Sequence, residues 1–316
     1  MIKFKDILDE VKLVPRRSKE ERLANYISSI NKRIQQYIKD GSKGDLYLSN
    51  APINRLPDNL KKVGGDLDLY KSNIKELPSG LEVGGGLYLA RSDIKKLPTG
   101  LKVGRNLSVR DTEITELPSG LEVGGSLRLT GSKITKLPKG LKVGEHIYLS
   151  RSAITELPSG LKIGGNLHLD DSQIKELPDD IEIGGSLRLS NSKVTKLPKG
   201  LKVGGNLNLL NSLLTKLPSE LTVNGNLHAY SSDLIELSDN LKVIGDLELL
   251  DVKVKELPNG IEVGGNLDLQ ATLVEKLPKD LKVGGELDLI HTPIAEKYTK
   301  EQLRKMLPNV RGEIYT

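Results

Sequence analysis

Cysteine and tryptophan are absent from the 316 residues, and phenylalanine occurs once. Without cysteine there is no disulfide framework, no thiolate zinc site and no cysteine nucleophile, a composition that suits a reducing compartment. With aromatics at 3%, the bulk that such side chains usually give a large core is missing. A core of this size must then be a thin, regular layer of aliphatics, as in repeat proteins. No apolar run approaches the ~18 residues that span a bilayer. The opening stretch MIKFKDILDEVKLVP scatters charges through its apolar positions, unlike a secretory signal. The expectation is a soluble, cytoplasmic protein without membrane insertion; effector-type export and virion association stay open.

Histidine is also scarce. His146, His168, His228 and His291 have no partner at the three- or four-residue spacing of metal ligands. No nucleophile set or acid–base pair emerges by spacing either. The chain therefore reads as a non-enzyme without a cofactor.

What is abundant is glycine, 32 residues, and leucine in strict register. Leu-Pro returns every twenty residues from Leu77 to Leu277, and Leu237 keeps the register although Ser238 replaces its proline. The unit is L-P-x-G-L-x-V-G-G-x-L-x-L-x-x-S-x-I-x-x, and such a period is the signature of a solenoid. In Leu87-Tyr88-Leu89 the apolar residues alternate, so two leucines face inward from a short strand. Leu81-Glu82-Val83 alternates too and predicts a second extended stretch on the far side of each turn. Gly84-Gly85 recurs in nearly every turn, precedes a strand and has no Gly-Lys-Ser/Thr after it, so it is a turn and not a phosphate loop.

The order Leu107-x-Val109-x-x-Thr112-x-Ile114-x-x-Leu117-Pro118 resembles the leucine-rich-repeat consensus LxLxxNxLxxLP. It is most similar to the short, 20-residue bacterial class of secreted effectors (the Yersinia outer protein M and IpaH types), and to phage-encoded LPxGLxVGGxLxL arrays. The resemblance implies a horseshoe with a parallel concave sheet, a helical N-cap and a short helical C-cap. Two extended segments per turn leave a parallel β-helix-like solenoid as the alternative. The family's ladder asparagine, which bonds along neighbouring turns, is here a hydroxyl, as at Ser72, Ser132, Ser192 and Thr272. A hydroxyl performs part of that task. Val252 cannot, so an irregularity is expected there. The ligase relatives act through a cysteine in an added domain; this chain has no cysteine, and that activity is not carried over.

The expected organisation is a helical N-terminal cap over 1–44, an array of twelve to thirteen turns over 45–295 and a C-terminal cap over 296–316. Ser18-Lys-Glu-Glu21 is a capping box, followed by Leu23, Ile27, Ile30, Ile34 and Ile38 at helical spacing and an Asp40-Gly41 stop. An earlier helix is expected at about 3–12, with Ile7, Leu8 and Val11 on one face. Thr299-x-x-Gln302 opens a short helix with Leu303 and Met306. Net charge is +5, and residues 1–44 hold it all, with 11 Lys/Arg against 6 Asp/Glu; the rest balances. The longest basic run is Arg16-Arg17, so this segment reads as a solvated cap and not as a nucleic-acid site.

Between the two strand leucines runs a variable, outward column that includes Tyr88, Arg128, Tyr148, His168, Arg188, His228, Glu248, Asp268 and Asp288. Its middle is aromatic and basic and its C-terminal part acidic, while Arg110 and Tyr230 lie in the next column. Tyr and Arg are the residue types that anchor interfaces. Beside them Leu210, Leu213, Leu250, Leu273 and Ile290 form an apolar stripe. The core repeats and this face varies. The expected function is recognition of a protein partner by Tyr88, Arg110, Arg128, Tyr148, His168, Arg188, His228 and Tyr230. A carbohydrate-binding adhesin and a structural part of a phage particle are the alternatives. The carboxylates Asp246, Glu248, Asp268, Glu286 and Asp288 have the hard oxygen ligands that calcium takes. They lack a G-G-x-G-x-D repeat and an EF-hand loop, which favours a plain acidic surface.

Overall fold

A computed structural model describes residues 18–316; the helix expected at 3–12 lies outside the described residues. The two alternating segments of each turn become two short parallel strands, and no helix lies between the first and the last leucine strand. The leucine strands, from Leu46–Tyr47 to Leu287–Asp288, form one continuous sheet that Ile314–Tyr315 completes as the fourteenth strand. Pairing keeps like columns together, as in Leu167 with Leu187 and His168 with Arg188. The second strands, from Lys62–Val63 to Lys282–Val283, form a five-stranded and a seven-stranded sheet. Between the two ladders lies a single core of Leu, Val and Ile. One unbroken leucine-strand sheet over 20-residue turns is the architecture of a leucine-rich-repeat solenoid.

Local chemistry explains the turn. A residue in the left-handed region follows each leucine strand, from Asn50 (φ 57°) through Arg151 (φ 55°) to His291 (φ 60°). Asn and Asp tolerate that conformation, whereas Arg151, Ala271 and His291 hold it against their Cβ. The first glycine of each Gly-Gly is a close-approach position: a Cβ on Gly204 would run into the Gly184 carbonyl oxygen.

The turn-to-turn ladder is not where the family resemblance puts it. The hydroxyls of Ser72, Ser92, Thr112 and Ser152 donate to the carbonyl three residues back in their own turn, at 2.6–2.7 Å. Bonding between turns falls instead to the residue just before the leucine strand. Asn166 Oδ1 accepts from the Ser186 N–H (2.8 Å), Asn206 Oδ1 from Asn226 N–H (2.9 Å), and Asn226 Oδ1 from Asp246 N–H (3.0 Å). Geometry decides this: that side chain stands beside the next strand's entering N–H, while the Ser column faces its own carbonyl.

From residue 135 onward the outer edge pairs turns two by two. Thr155, Thr195, Ile235 and Glu275 donate across alternate gaps, at 2.9–3.0 Å. The bridges there join opposite charges, Lys136 with Glu156, Glu176 with Lys196, Lys216 with Glu236 and Glu256 with Lys276. The skipped gaps set like charges side by side, Glu156/Glu176, Lys196/Lys216 and Glu236/Glu256. The buried hydroxyls of Ser132, Ser172 and Ser212, forty residues apart, have no partner, and Val252 is the next position in that series. Its valine therefore gives up no hydroxyl bond that these members of the series make. The leucine strands run through undisturbed. The expected irregularity is confined to the outer edge, where Lys253 N–H turns to the Leu234 carbonyl (3.1 Å).

The second ladder breaks between Lys142–Val143 and Lys162–Ile163. This is the one gap of that column where two lysines face each other, and like charges directly opposite are unfavourable. Each turns away to a glutamate, Lys142 to Glu122 and Lys162 to Glu182, both at 2.7 Å. The Gly164 N–H then lacks the bond that Gly144 and Gly184 make to the preceding Val123 and Ile163 carbonyls. Thr222 sits between Lys202 and Lys242 with the ladder intact. Lys162→Thr is accordingly expected to close the ladder and slow hydrogen exchange of the Gly164 amide; an unchanged exchange rate would count against the charge explanation.

Both ends are capped. Helix α1 (Lys19–Lys39) has the Ser18/Glu21 capping box and buries Ile30 and Ile34 over the first turn. Leu23 is 46% exposed, so the inward stripe is shorter than its spacing suggests. At the other end α2 (Pro293–Lys297), capped by Thr292, is an element that the repeat pattern hides. Helix α3 (Lys300–Met306) has the Thr299/Gln302 box and buries Leu303, while Met306 stays exposed.

Candidate functional site

The strand period of two sends the residue between the paired leucines away from the core. At strand spacing, ~4.8 Å, such side chains touch from turn to turn. Three of the expected site residues, Arg128, Tyr148 and His168, meet in this way, and Arg188 stands on the next strand. The Arg128 guanidinium lies over the Tyr148 ring, 5.1 Å from its centroid. The Tyr148 and His168 rings are 4.7 Å apart and tilted by 44°. Arg188, whose strand pairs with that of His168, is held by Asp170 through Nε–Oδ2 at 2.9 Å. Asp170 is pinned in turn by the Ser190 N–H (3.1 Å). The result is a cation–ring–ring contact over three turns, with the braced Arg188 on the fourth. An attraction of ~0.5–1 kcal/mol is typical of an exposed cation–ring contact.

The other four lie outside this run of contacts. Tyr88 folds back over Gly86 of its own strand, and buried Ser108 separates it from Arg128. Arg110 is exposed and pairs with no carboxylate among the described residues. His228 lies beyond Asn208 and bonds through Nδ1 to Glu248 Oε2 at 2.6 Å. Tyr230 is half-buried in the column of Leu210 and Leu250. His146 touches Tyr148 edge-on, with centroids 6.0 Å apart. It also serves the scaffold: its Nδ1 accepts the Asn166 N–H (2.8 Å), which puts its ring proton on Nε2.

Toward the C-terminus the carboxylates work locally. Asp268 and Asp288 accept the N–H groups of Gln270 and Ile290, at 2.8 and 2.9 Å. Asp246 accepts the Asn266 N–H (2.7 Å), and Glu286 accepts from the Tyr315 hydroxyl (3.2 Å). No three of them converge as metal ligands among the described residues. Burial raises the Asp268 carboxyl above its ordinary range; the Gln270 N–H opposes this, and Asp288 and Glu248 add to it.

His168 is held below the usual imidazole range, first by burial, then by Arg188 and, more weakly, His146, with Asp170 pulling the other way. A base whose folded pKa is depressed binds fewer protons folded than unfolded. Its contribution to stability is complete above the unfolded value of 6.5 and is lost as pH falls toward the folded pKa. Melting temperature should therefore drop below pH 6.5 by more in the wild type than in His168→Gln. Equal pH dependence in both would remove His168 as the cause.

The sequence reading missed two features. Asp170, which orients Arg188, lies one column over and has no motif. The ladder side chains before the strand, such as Asn166, Asn206 and Asn226, sit among Gly, Ser, Glu and Asp in their column and carry no pattern of their own. No helix among the described residues is long and apolar enough to cross a membrane.

No family model matches the chain, and no curated protein matches it. Among solved structures it is similar to YopM, a leucine-rich effector protein from Yersinia pestis, at 16% identity and a TM-score of 0.43, covering 95% of this chain and 100% of that one. It is also similar to YopM from Yersinia enterocolitica WA-314 at 15% identity and a TM-score of 0.32, covering 92% and 94%. The fold assignment stands on this chain's own turns and ladders.

Proposed function

We propose that the protein is a non-enzymatic binding module that docks a protein partner on its leucine-strand face. Arg128, Tyr148, His168 and Arg188 are the anchor, and Tyr88, Arg110, His228 and Tyr230 flank it. The observation that carries this reading is the unbroken contact from Arg128 through Tyr148 to His168, braced by Asp170 at Arg188. Preformed anchors lose little conformational entropy on docking, so more of the contact energy appears as affinity. The same contacts favour a protein over a sugar: a sugar platform needs a free ring face, whereas Tyr148 is covered by Arg128 and meets His168.

The test is affinity purification from the native host with the wild type and with the triple variant Arg128→Ala, Tyr148→Ala, Arg188→Ala. Hot-spot truncations cost about 2 kcal/mol or more each. Binding should fall by more than about a hundredfold while the array stays folded, since all three side chains point outward. Recovery of the same partner in equal yield would show that the anchor lies elsewhere.

A further inference from the structure

A second surface lies on the Leu-Pro edge of the C-terminal turns, away from the leucine-strand face. It is a groove of about 1360 Å³ that crosses five turns, floored by leucines 197 to 277 with Pro218, Pro258 and Pro278. Three departures from the repeat meet in or beside it. Ile235 stands in a column otherwise mostly Lys and Thr and is 48% exposed. Leu273 stands where other turns carry mostly charged or polar residues and is 44% exposed. Ser238 replaces the proline of its Leu-Pro pair; it is 4% exposed, and its hydroxyl has no hydrogen-bond partner.

Each departure has a cost in the free protein. Large exposed aliphatics leave apolar surface in water, and a buried unbonded hydroxyl gives up a hydrogen bond it would make with solvent. An occupant that covers the aliphatics and accepts from Ser238 Oγ relieves both. Charge indicates what that occupant is. The groove is lined by six lysines against Glu236, Asp239 and Glu256, although the array as a whole is neutral. Lys216 is paired with Glu236 (2.6 Å) and Lys199 with Glu220 (3.1 Å). Lys196, Lys253, Lys255 and Lys276 have no carboxylate within 4.0 Å among the described residues.

We infer that this groove binds an acidic peptide segment of a partner protein, with apolar anchor side chains over Ile235 and Leu273 and a carbonyl or carboxylate oxygen on the Ser238 hydroxyl. Acidic groups of the segment lie along Lys253, Lys255 and Lys276. Peptide recognition by an apolar trough flanked by one sign of charge follows ordinary interface physics.

The test is selection of short random peptides on the full chain. Enriched peptides are then measured by fluorescence anisotropy on the wild type and on Ile235→Lys/Leu273→Lys, Lys253→Glu/Lys255→Glu, Ser238→Ala and the triple variant of the leucine-strand face. The expected peptides are net acidic with Leu-, Ile- or Phe-type anchors. Their affinity drops at least about tenfold on both double variants, the scale of one buried apolar side chain. It drops less on Ser238→Ala and is unchanged on the face variant. Circular dichroism confirms that each variant is folded. Peptides without acidic excess, peptides indifferent to the groove variants, or no enrichment would overturn the inference. If only peptides sensitive to the face variant are enriched, the groove fails while the leucine-strand anchor stands.

Discussion

Replacing Leu187 by alanine is expected to destabilise the array by roughly 3–5 kcal/mol, the range for a large-to-small change at a site that cannot collapse. Leu187 is fully buried and stacked between Leu167 and Leu207 in the leucine column. Strand hydrogen bonds hold the flanking turns, so the cavity cannot close by moving a helix or a loop. In a solenoid each turn contacts only its neighbours, so the loss is local and lowers cooperativity between the two halves. The adjacent Arg188→Ala removes an outward side chain and should change stability by no more than about 0.5 kcal/mol. Urea unfolding followed by circular dichroism separates the two. Comparable losses at both positions would mean that the face is part of the scaffold.

Removing residues 293–316 is expected to make the chain self-associate more strongly than the intact one. This segment buries Ile294, Leu303, Leu307, Val310 and Ile314 against the last turn. Its carbonyls satisfy the sheet edge: Leu287 N–H donates to Glu313 (2.8 Å) and Leu289 N–H to Tyr315 (2.9 Å). Arg304 holds the segment in place through the Val310 and Gly312 carbonyls, at 2.9 and 2.7 Å. Deletion exposes apolar side chains worth about 1.5–3 kcal/mol each when buried, beside a row of unpaired donors that templates another chain. Size-exclusion chromatography with light scattering reads the outcome, and the milder Ile314→Lys should produce part of it. A deletion variant that elutes and melts like the full chain would show that the cap is dispensable.

These expectations rest on features of unequal legibility. The twenty-residue period makes the leucine columns and the second strand plain, because register repeats every turn. Capping boxes at Ser18/Glu21 and Thr299/Gln302 are legible because they are local. What depends on distance between turns was not. The Ser column has the family's ladder position, yet the ladder runs through Asn166, Asn206 and Asn226, which stand nearest the next strand's N–H. The charge columns do contain the break at Lys142/Lys162 and the two-by-two pairing of the outer edge. That information is a relation between residues twenty apart and is invisible within one turn. Likewise the outward column named Arg128, Tyr148, His168 and Arg188 as neighbours, but the brace by Asp170 comes from a different column. Helix α2 escaped because Pro293 and Ile294 continue the repeat pattern that the helix interrupts.

In the proposed function, the outward side chains between the strand leucines, centred on Tyr148 and His168, are the surface that meets the partner. Hydroxyl-radical footprinting of the chain with and without its co-purified partner tests this most directly, because it reports side-chain accessibility residue by residue. Strong protection of Tyr148 and His168 is expected on complex formation, with Tyr26 and Met306, exposed on the capping helices, oxidised as before. Unchanged oxidation of Tyr148 and His168 in a complex that protects other side chains would contradict it.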